Sequence, residues 1–530
     1  MVFSKKNSNS IVIFLITAVC LVFTMNLSYI DITIMEARNF VTAREMILEN
    51  NWLMPTFNGE PRYQKPPLPT WITALSSFMF GFKSLYFYRL PGFLVLAITG
   101  ITSYYFSLEL LNNKRDSFIN AIITVTSFYI IAIVIEAPWD IYSHTFMFIA
   151  IYYLFRSLNS EVFKLKTAFL ASIFIGCSFL SKGPISIYAL LIPFLISYFI
   201  TYPSYVVKKI KKITPILITG LVIGAAWYLF LLIEDPTNLI NTTKKETSNW
   251  SSYNIRPFYY YWSFFIQSGV WAIFAVLSIF YPYYKNKIKE YKKYKLTFLW
   301  TIIGVILLSI VPEKKPRYLM PILIPLALNI GFIFRYIKEC YEKKKSSGKV
   351  LLFHYLLIMI IGFSFIFIKG FVLNLNINAL DVTLVILSLL IMVRLLNLND
   401  LKFININTVS LLILIFSISN SPTLMENKNK LYRSVNELNN SKTQIFTNYN
   451  LSPEIIWNFG KKIENIDIKK IKEITENKLQ FGLLTNKPLL IKDTVLNDVS
   501  YKIKLVTKYD LNNLNNKKRL ITYYHLFSPE

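Results

Sequence analysis

Apolar runs of bilayer-crossing length recur along this chain with short polar gaps between them. Ile11 to Ile30 is the first, close to the ~20 residues that cross a bilayer as a helix. Lys5 and Lys6 precede it and no small-residue cleavage site follows, so it reads as a retained anchor with its N-terminus inside. Further runs lie near 89–111, 118–135, 141–157, 167–181, 185–202, 214–233, 262–283, 296–311, 318–336, 351–370, 379–396 and 404–420. The pattern predicts an α-helical polytopic membrane protein with about 13 transmembrane helices over residues 1–420. Beyond 420 the character changes. Strand-like runs at Gln444–Tyr449, Leu479–Thr485, Val499–Val506 and Arg519–Phe527 alternate with helical patterns near 452–459 and 468–477. Residues 421–530 therefore read as a small soluble α/β domain.

The polar segment after the first run departs from this rhythm. Irregular backbone facing lipid cannot have its polar groups satisfied, so a charged loop spanning 31–88 stands outside the hydrocarbon or lines a protein-roofed cavity. Within it, 37–50 sets Phe40, Val41, Met46 and Ile47 among charges, and Leu68–Phe82 is apolar but short. Both are expected to be helices lying at the membrane interface.

Charge orients the map. The formal net charge of +27 comes from 57 Lys and Arg against 30 Asp and Glu, and much of the excess falls in gaps between apolar runs. Lys208, Lys209, Lys211 and Lys212 form one tract, 285–295 holds six lysines, and 338–349 holds five. These are the cytoplasmic loops expected of a multi-pass protein, where contact with anionic membrane lipids accounts for them. No base-reading module accompanies them, so nucleic acid is not an expected partner. With the N-terminus cytoplasmic and an odd number of spans, the C-terminal domain is expected on the periplasmic face of a bacterial inner membrane. Cys20, Cys177 and Cys340 indicate neither a disulfide framework nor a zinc site.

Few ionisable groups lie at the outward ends of runs: Asp31, Glu36, Arg38, Arg62, Lys65, Asp140, His144, Lys182, Arg256, Glu313, Lys314, Lys315 and Arg317. Acids and bases converging at one membrane face point to function. Cations can hold a phosphate, and a carboxylate can activate a hydroxyl or bind a metal.

In order along the chain stand Glu36-Ala37-Arg38, Ala43-Arg44-Glu45-Met46, Asn58-Gly59-Glu60-Pro61 and Lys65-Pro66-Pro67. Arg89-Leu90-Pro91, Trp139-Asp140, Ser181-Lys182-Gly183-Pro184 and Lys314-Lys315-Pro316-Arg317-Tyr318-Leu319-Met320-Pro321 follow. Together, over about 1–330, these motifs resemble the polyprenyl-phosphate-dependent GT-C glycosyltransferases, the aminoarabinose lipid A transferases and their protein mannosyltransferase relatives most closely. The resemblance implies an inverting enzyme that moves a sugar from undecaprenyl phosphate to lipid A, another envelope glycan or a protein. It implies that Arg38, Lys65, Lys182, Lys314, Arg317 and Tyr318 hold the donor phosphate and that Glu36 and Asp140 are the catalytic carboxylates. Arg62, Arg256 and Tyr259 are further substrate contacts on this reading, and a divalent metal would draw on Glu36, Asp140 and His144. Met35 stands where the family often has an acid, and the region before Arg256-Pro257 lacks a histidine seen in some members.

Plainer readings stand beside these. Glu36 and Arg38 also read as interfacial-helix charges, Lys65 as a headgroup anchor, Lys182 as a span terminus, and Tyr259-Tyr260-Tyr261-Trp262 as an aromatic belt. Asp140 and His144, four apart, share a helix face and also read as a structural hydrogen-bonded pair. At the level of the whole chain, a transporter or flippase of lipid-linked sugars and a non-catalytic envelope scaffold are the alternatives.

Overall fold

A computed structural model of the chain describes residues 5–24, 27–28, 30–81, 83–354, 357–358, 360, 432–441, 443–467, 471, 473–474, 479–489, 501–512 and 516–529. The expected spans at 379–396 and 404–420, and most of 351–370 and 468–477, lie outside the described residues. The described helices are α1 Lys5–Val22, α2 Ile34–Glu49, α3 Leu68–Phe80, α4 Leu85–Leu111, α5 Lys114–Thr126, α6 Phe128–Glu136, α7 Pro138–Asn159 and α8 Leu165–Lys182. They continue with α9 Ile192–Thr201, α10 Val206–Glu234, α11 Pro236–Ser252, α12 Ala272–Ile279, α13 Tyr281–Tyr284, α14 Tyr291–Ile310, α15 Met320–Glu342 and α16 Pro453–Phe459. The chain divides into two compact units: residues 1–27, 63–72 and 84–424 form one, and 28–62, 73–83 and 425–530 the other.

The first unit is helical. Among the described residues six helices are long and apolar enough to cross a bilayer, and α5 with α6, bent by 45°, makes a seventh. The expected run at 185–202 becomes a π-turn at Ile187–Leu191 followed by α9. Widening the helix there frees the Leu190 carbonyl, which accepts the indole N–H of Trp300 at 3.0 Å. The run near 262–283 is broken as well, because Gly269 takes φ 65° and ψ −122° inside a stretch of 3₁₀ turns.

Close packing fixes α8. Gly220 and Gly224 of α10 let Ile175 and Phe179 of α8 in so near that an added Cβ would come within 2.7 Å and 2.5 Å of those side chains. Small residues are what let two helix backbones approach this way. On its other side α8 is fastened to α7: Ser143 Oγ donates to the Ser178 carbonyl at 3.1 Å, and Ser178 Oγ donates to the Ser143 carbonyl at 2.7 Å. α8 stops at Gly183, whose φ of 73° suits glycine.

The second unit is built on a five-stranded sheet. Its strands are β3 Gln444–Thr447, β4 Glu464–Asn465, β5 Phe481–Thr485, β6 Tyr501–Asp510 and β7 Ile521–Pro529, following a small hairpin of β1 Thr56–Phe57 and β2 Glu60–Pro61. The order is β4-β3-β5-β7-β6, with β3 parallel to both β4 and β5 and the remaining pairs antiparallel. Phe446, Phe481, Leu483 and Phe527 pack in one apolar cluster and Ile445, Ile455, Ile456 and Leu484 in another. β5 is buried throughout, as a strand covered on both faces should be.

A helix does form over the expected 37–50, as α2, and Val41 on it belongs to that second cluster. Ten of its residues, from Glu36 to Met46 except Arg38, are buried. The mixed polarity that suggested a membrane surface is matched by polar partners within its own unit.

Candidate functional site

The reciprocal serine bonds between α7 and α8 determine what faces what one turn further along. Three residues back from Ser143 is Asp140, and four residues on from Ser178 is Lys182. The helices run antiparallel, so the two side chains meet as an ion pair with both groups nearly excluded from solvent. Pro138 opens α7, leaving Asp140 in its first turn, where the helix dipole favours a negative charge. Asp140 Oδ2 finds no hydrogen-bond partner among the described residues. His144, one turn on, is buried with Nδ1 2.8 Å from Ser186 Oγ, and Ser186 Oγ lies 2.7 Å from Ser143 Oγ. A hydroxyl chain thus runs from the α7–α8 seam to His144.

The segment after α14 supplies the rest. Arg256 N–H donates to the Pro312 carbonyl at 3.2 Å and Lys314 N–H to the Asn254 carbonyl at 3.1 Å, so 254–256 and 312–314 lie as a short antiparallel bridge. Tyr261 OH locks Lys315 in place, bonding its carbonyl and its N–H at 3.0 Å each. Lys315 Nζ then reaches Glu313 Oε1 at 2.5 Å and Tyr318 OH at 3.2 Å, and sits 4.8 Å from the centre of the Tyr253 ring. Tyr318 OH donates to Glu313 at 3.1 Å, while its ring stands 5.6 Å from Lys182 Nζ and 5.8 Å from the Arg317 guanidinium. Arg317 Nε is buried without a hydrogen-bond partner among the described residues. Asp140, Lys182, Tyr318, Arg317 and Lys315 therefore converge.

Lys314 does not join them. Its Nζ donates to the Val311 carbonyl at 2.5 Å and the Arg256 carbonyl at 3.1 Å, and it is buried. Burial pulls its ammonium below the ordinary lysine range. Lys315 and Glu313, among the outward ionisable groups but not among the expected phosphate contacts, stand beside Tyr318 where Lys314 was expected. Only the alternation of the bridge, which sends neighbouring side chains to opposite faces, distinguishes the two lysines. Tyr259 is exposed, and Arg256 stacks 6.0 Å from the Tyr260 ring.

Lys65 lies in the same unit, 3.9 Å from Glu246 of α11. Beside it Tyr63 OH donates to Asp235 Oδ2 at 2.9 Å. Asp235 is held below the usual carboxylate range by the Asn238 side chain first and by this phenol, and the Tyr63 hydroxyl is pushed up by burial and then by the carboxylate.

Glu36, Arg38 and Arg62 belong to the other unit. Glu36 is fully buried and closes a capping box: Thr33 N–H donates to Glu36 Oε2 at 3.0 Å and Glu36 N–H to Thr33 Oγ1 at 3.2 Å. Arg38 is exposed. Arg62 donates to the Arg38 carbonyl at 3.2 Å and to Thr42 Oγ1 at 3.1 Å, fastening the loop to α2. Among the described residues no three His, Cys, Asp or Glu side chains gather as a metal site. Asp140 is taken up by a cation and His144 by a hydroxyl, so this pair is a poor donor set for a divalent ion.

The chain is similar to several known proteins. Residues 64–231 match the family model described as dolichyl-phosphate-mannose-protein mannosyltransferase. An undecaprenyl phosphate-alpha-4-amino-4-deoxy-L-arabinose arabinosyl transferase of Wigglesworthia glossinidia brevipalpis is 27% identical over 65% of this chain and 61% of its own length. Its namesake in Photorhabdus laumondii is 23% identical over 62% and 60%. The chain thus spans about three fifths of these two relatives. The crystal structure of ArnT from Cupriavidus metallidurans bound to undecaprenyl phosphate superposes with a TM-score of 0.72, covering 98% of both chains at 13% identity. The fold of the chain is thus similar to that of this ArnT.

Proposed function

We propose that the protein is an inverting glycosyltransferase that moves a sugar from a polyprenyl-phosphate donor to an acceptor hydroxyl. The observation that carries this reading is the buried Asp140–Lys182 pair set against Tyr318, Arg317 and Lys315. A carboxylate and a group of cations in one low-dielectric place answer the two demands of the reaction. The acceptor oxygen attacks the anomeric carbon and loses its proton to a carboxylate, while the bond to phosphate oxygen breaks on the opposite face. Lys182, Arg317 and Lys315 then stabilise the charge that the departing polyprenyl phosphate carries away.

Asp140 and Glu36 are the two carboxylates proposed for the chemistry, and Arg38 and Lys65 further cations for the donor. The names of the relatives favour undecaprenyl phosphate as carrier and an aminoarabinose-like amino sugar, and lipid A or another envelope glycan is the acceptor proposed for it. The family model's name supports a second reading, in which a protein hydroxyl accepts a neutral hexose. On both readings the enzyme sits in a bacterial inner membrane with its C-terminal domain in the periplasm. Mass spectrometry of lipid A from cells with and without the gene tests the choice. A mass increment of one pentosamine that depends on the protein supports the first reading; unchanged lipid A with newly glycosylated protein supports the second. Purified protein that turns over no polyprenyl-phosphate sugar would defeat both.

A further inference from the structure

α2 is held at two points by the C-terminal domain, and both holds lie within one compact unit. Arg44, buried in the third turn, donates from one guanidinium nitrogen to the Trp457 carbonyl at 3.2 Å and from the other to the Ile456 carbonyl at 3.2 Å. These carbonyls belong to the last turn of α16, where a cation offsets the helix dipole. The guanidinium carbon also stands 5.5 Å from the centre of the Trp457 ring, and Phe40, one turn earlier on α2, meets that ring edge-on at 5.7 Å.

The second hold starts at the next residue. Glu45 accepts Thr56 Oγ1 at 2.6 Å, Asn58 N–H at 2.7 Å and Gly59 N–H at 3.2 Å, which ties the β1–β2 turn to α2. Asn58 then uses its side-chain amide as a strand would use a peptide. Its Nδ2 donates to the Ile463 carbonyl at 2.7 Å, and its Oδ1 accepts the Ile463 N–H at 2.8 Å. Ile463 immediately precedes β4.

We propose that the C-terminal domain is the positioning element for α2, with Arg44 and Asn58 as positioning residues that fix the turn carrying Glu36 and Arg38. This rests on the reading of Glu36 and Arg38 as site residues given above. Eight residues separate Arg44 from Glu36, about 12 Å along a helix at ~1.5 Å per residue. Over that lever a tilt of roughly 5° moves the Glu36 turn by about 1 Å, and a displacement of that size can cost on the order of 10²-fold in rate. The C-terminal domain would then govern kcat through its hold on α2.

The test uses the purified full-length protein as Arg44→Ala, Arg44→Lys and Asn58→Gly, the last chosen because Asn58 has φ 56° and glycine keeps that backbone. Each is measured for kcat, for KM of the polyprenyl-phosphate donor, for thermal unfolding and for hydrogen exchange of the Ile34–Glu49 amides. The expected result is a kcat lowered at least tenfold with donor KM within about twofold and faster exchange in α2. Arg44→Lys, which keeps the charge but cannot span two carbonyls, should recover only part of the loss. Folded variants with wild-type kcat and α2 exchange would overturn the proposal, as would a lowered melting temperature with unchanged kcat. If Arg44→Ala does not fold, Asn58→Gly decides. A wild-type protein that transfers no sugar defeats the functional reading instead, and α2 exchange in the variants still decides whether the domain holds that helix.

Discussion

Ser143 and Ser178 each donate a hydrogen bond to the other's backbone carbonyl, and this exchange sets the register in which Asp140 faces Lys182. Losing one member of a buried ion pair leaves the other charge uncompensated, at a cost of ~3–5 kcal/mol, whereas replacing both can be neutral. Lys182→Met is therefore expected to lower thermal stability sharply and to abolish transfer. Asp140→Asn combined with Lys182→Met should restore the melting temperature but not the activity. Thermal unfolding in detergent beside a transfer assay checks both, and a double variant as unstable as Lys182→Met would refute the pairing.

The two adjacent lysines divide labour. Lys314 satisfies two backbone carbonyls and Lys315 faces Glu313 and Tyr318. Lys315→Ala should raise the donor KM, since a charge-assisted contact contributes about 1.5–3 kcal/mol, or roughly ten- to a hundredfold. Lys314→Ala should chiefly lower stability. The opposite assignment of the two phenotypes would return the phosphate contact to Lys314.

How much of this was legible in the sequence depends on the kind of information each feature needs. The apolar runs that became α4, α10, α14 and α15 and the strand alternation in the C-terminal domain are local patterns, and they read through. Lys314 and Lys315 could not be told apart, because their directions depend on a bridge to Ile255, nearly sixty residues away. Ser143, Ser178 and Ser186 were visible as hydroxyls in apolar stretches, yet their bonds cross between helices and leave no periodic trace. The burial of α2 was hidden for a related reason. Arg44, Glu45 and Asn39 look like surface residues until their partners, the α16 carbonyls, the 56–59 turn and Thr73, are brought in by the fold.

Topology is a separate matter, resting on charge alone. The lysines at 208–212, 285–295 and 338–349 are expected on the cytoplasmic side and the C-terminus on the other. Reporter fusions at residue 290 and at the C-terminus should give opposite signals. The same side for both would overturn the proposed orientation.

His525 is expected to make the C-terminal sheet sensitive to acid. Its Nε2 accepts the Leu489 N–H at 3.1 Å, so the neutral ring carries its proton on Nδ1, 3.3 Å from Thr485 Oγ1. Burial holds the imidazole below its ordinary value of ~6.5. The folded state therefore prefers the neutral ring, and its stabilisation is complete above about pH 6.5 and lost as the pH falls below that. Exchange of the β5 and β7 amides, corrected for intrinsic rate, should accelerate between about pH 7 and pH 5 in the wild type and much less in His525→Gln. Equal acceleration in both would remove His525 from the effect.

Glu36 can be separated from its own structural duty. It closes the capping box of α2 through Oε2, and a glutamine at that position can accept the same Thr33 N–H through its carbonyl oxygen. Glu36→Gln thus removes the charge and the proton-accepting capacity while leaving the helix start in place. Glu36→Ala removes both, and losing the box is expected to cost about 0.5–2 kcal/mol. If Glu36 takes the acceptor proton, the glutamine variant should melt near the wild-type temperature, bind the polyprenyl-phosphate donor normally and turn over about 10²–10⁴-fold more slowly. If the residue serves only to cap, the order reverses: Glu36→Gln keeps its turnover and only Glu36→Ala is impaired, through stability. Single-turnover transfer measured beside donor binding separates the two outcomes, and near-normal transfer by Glu36→Gln would leave Asp140 as the proton acceptor.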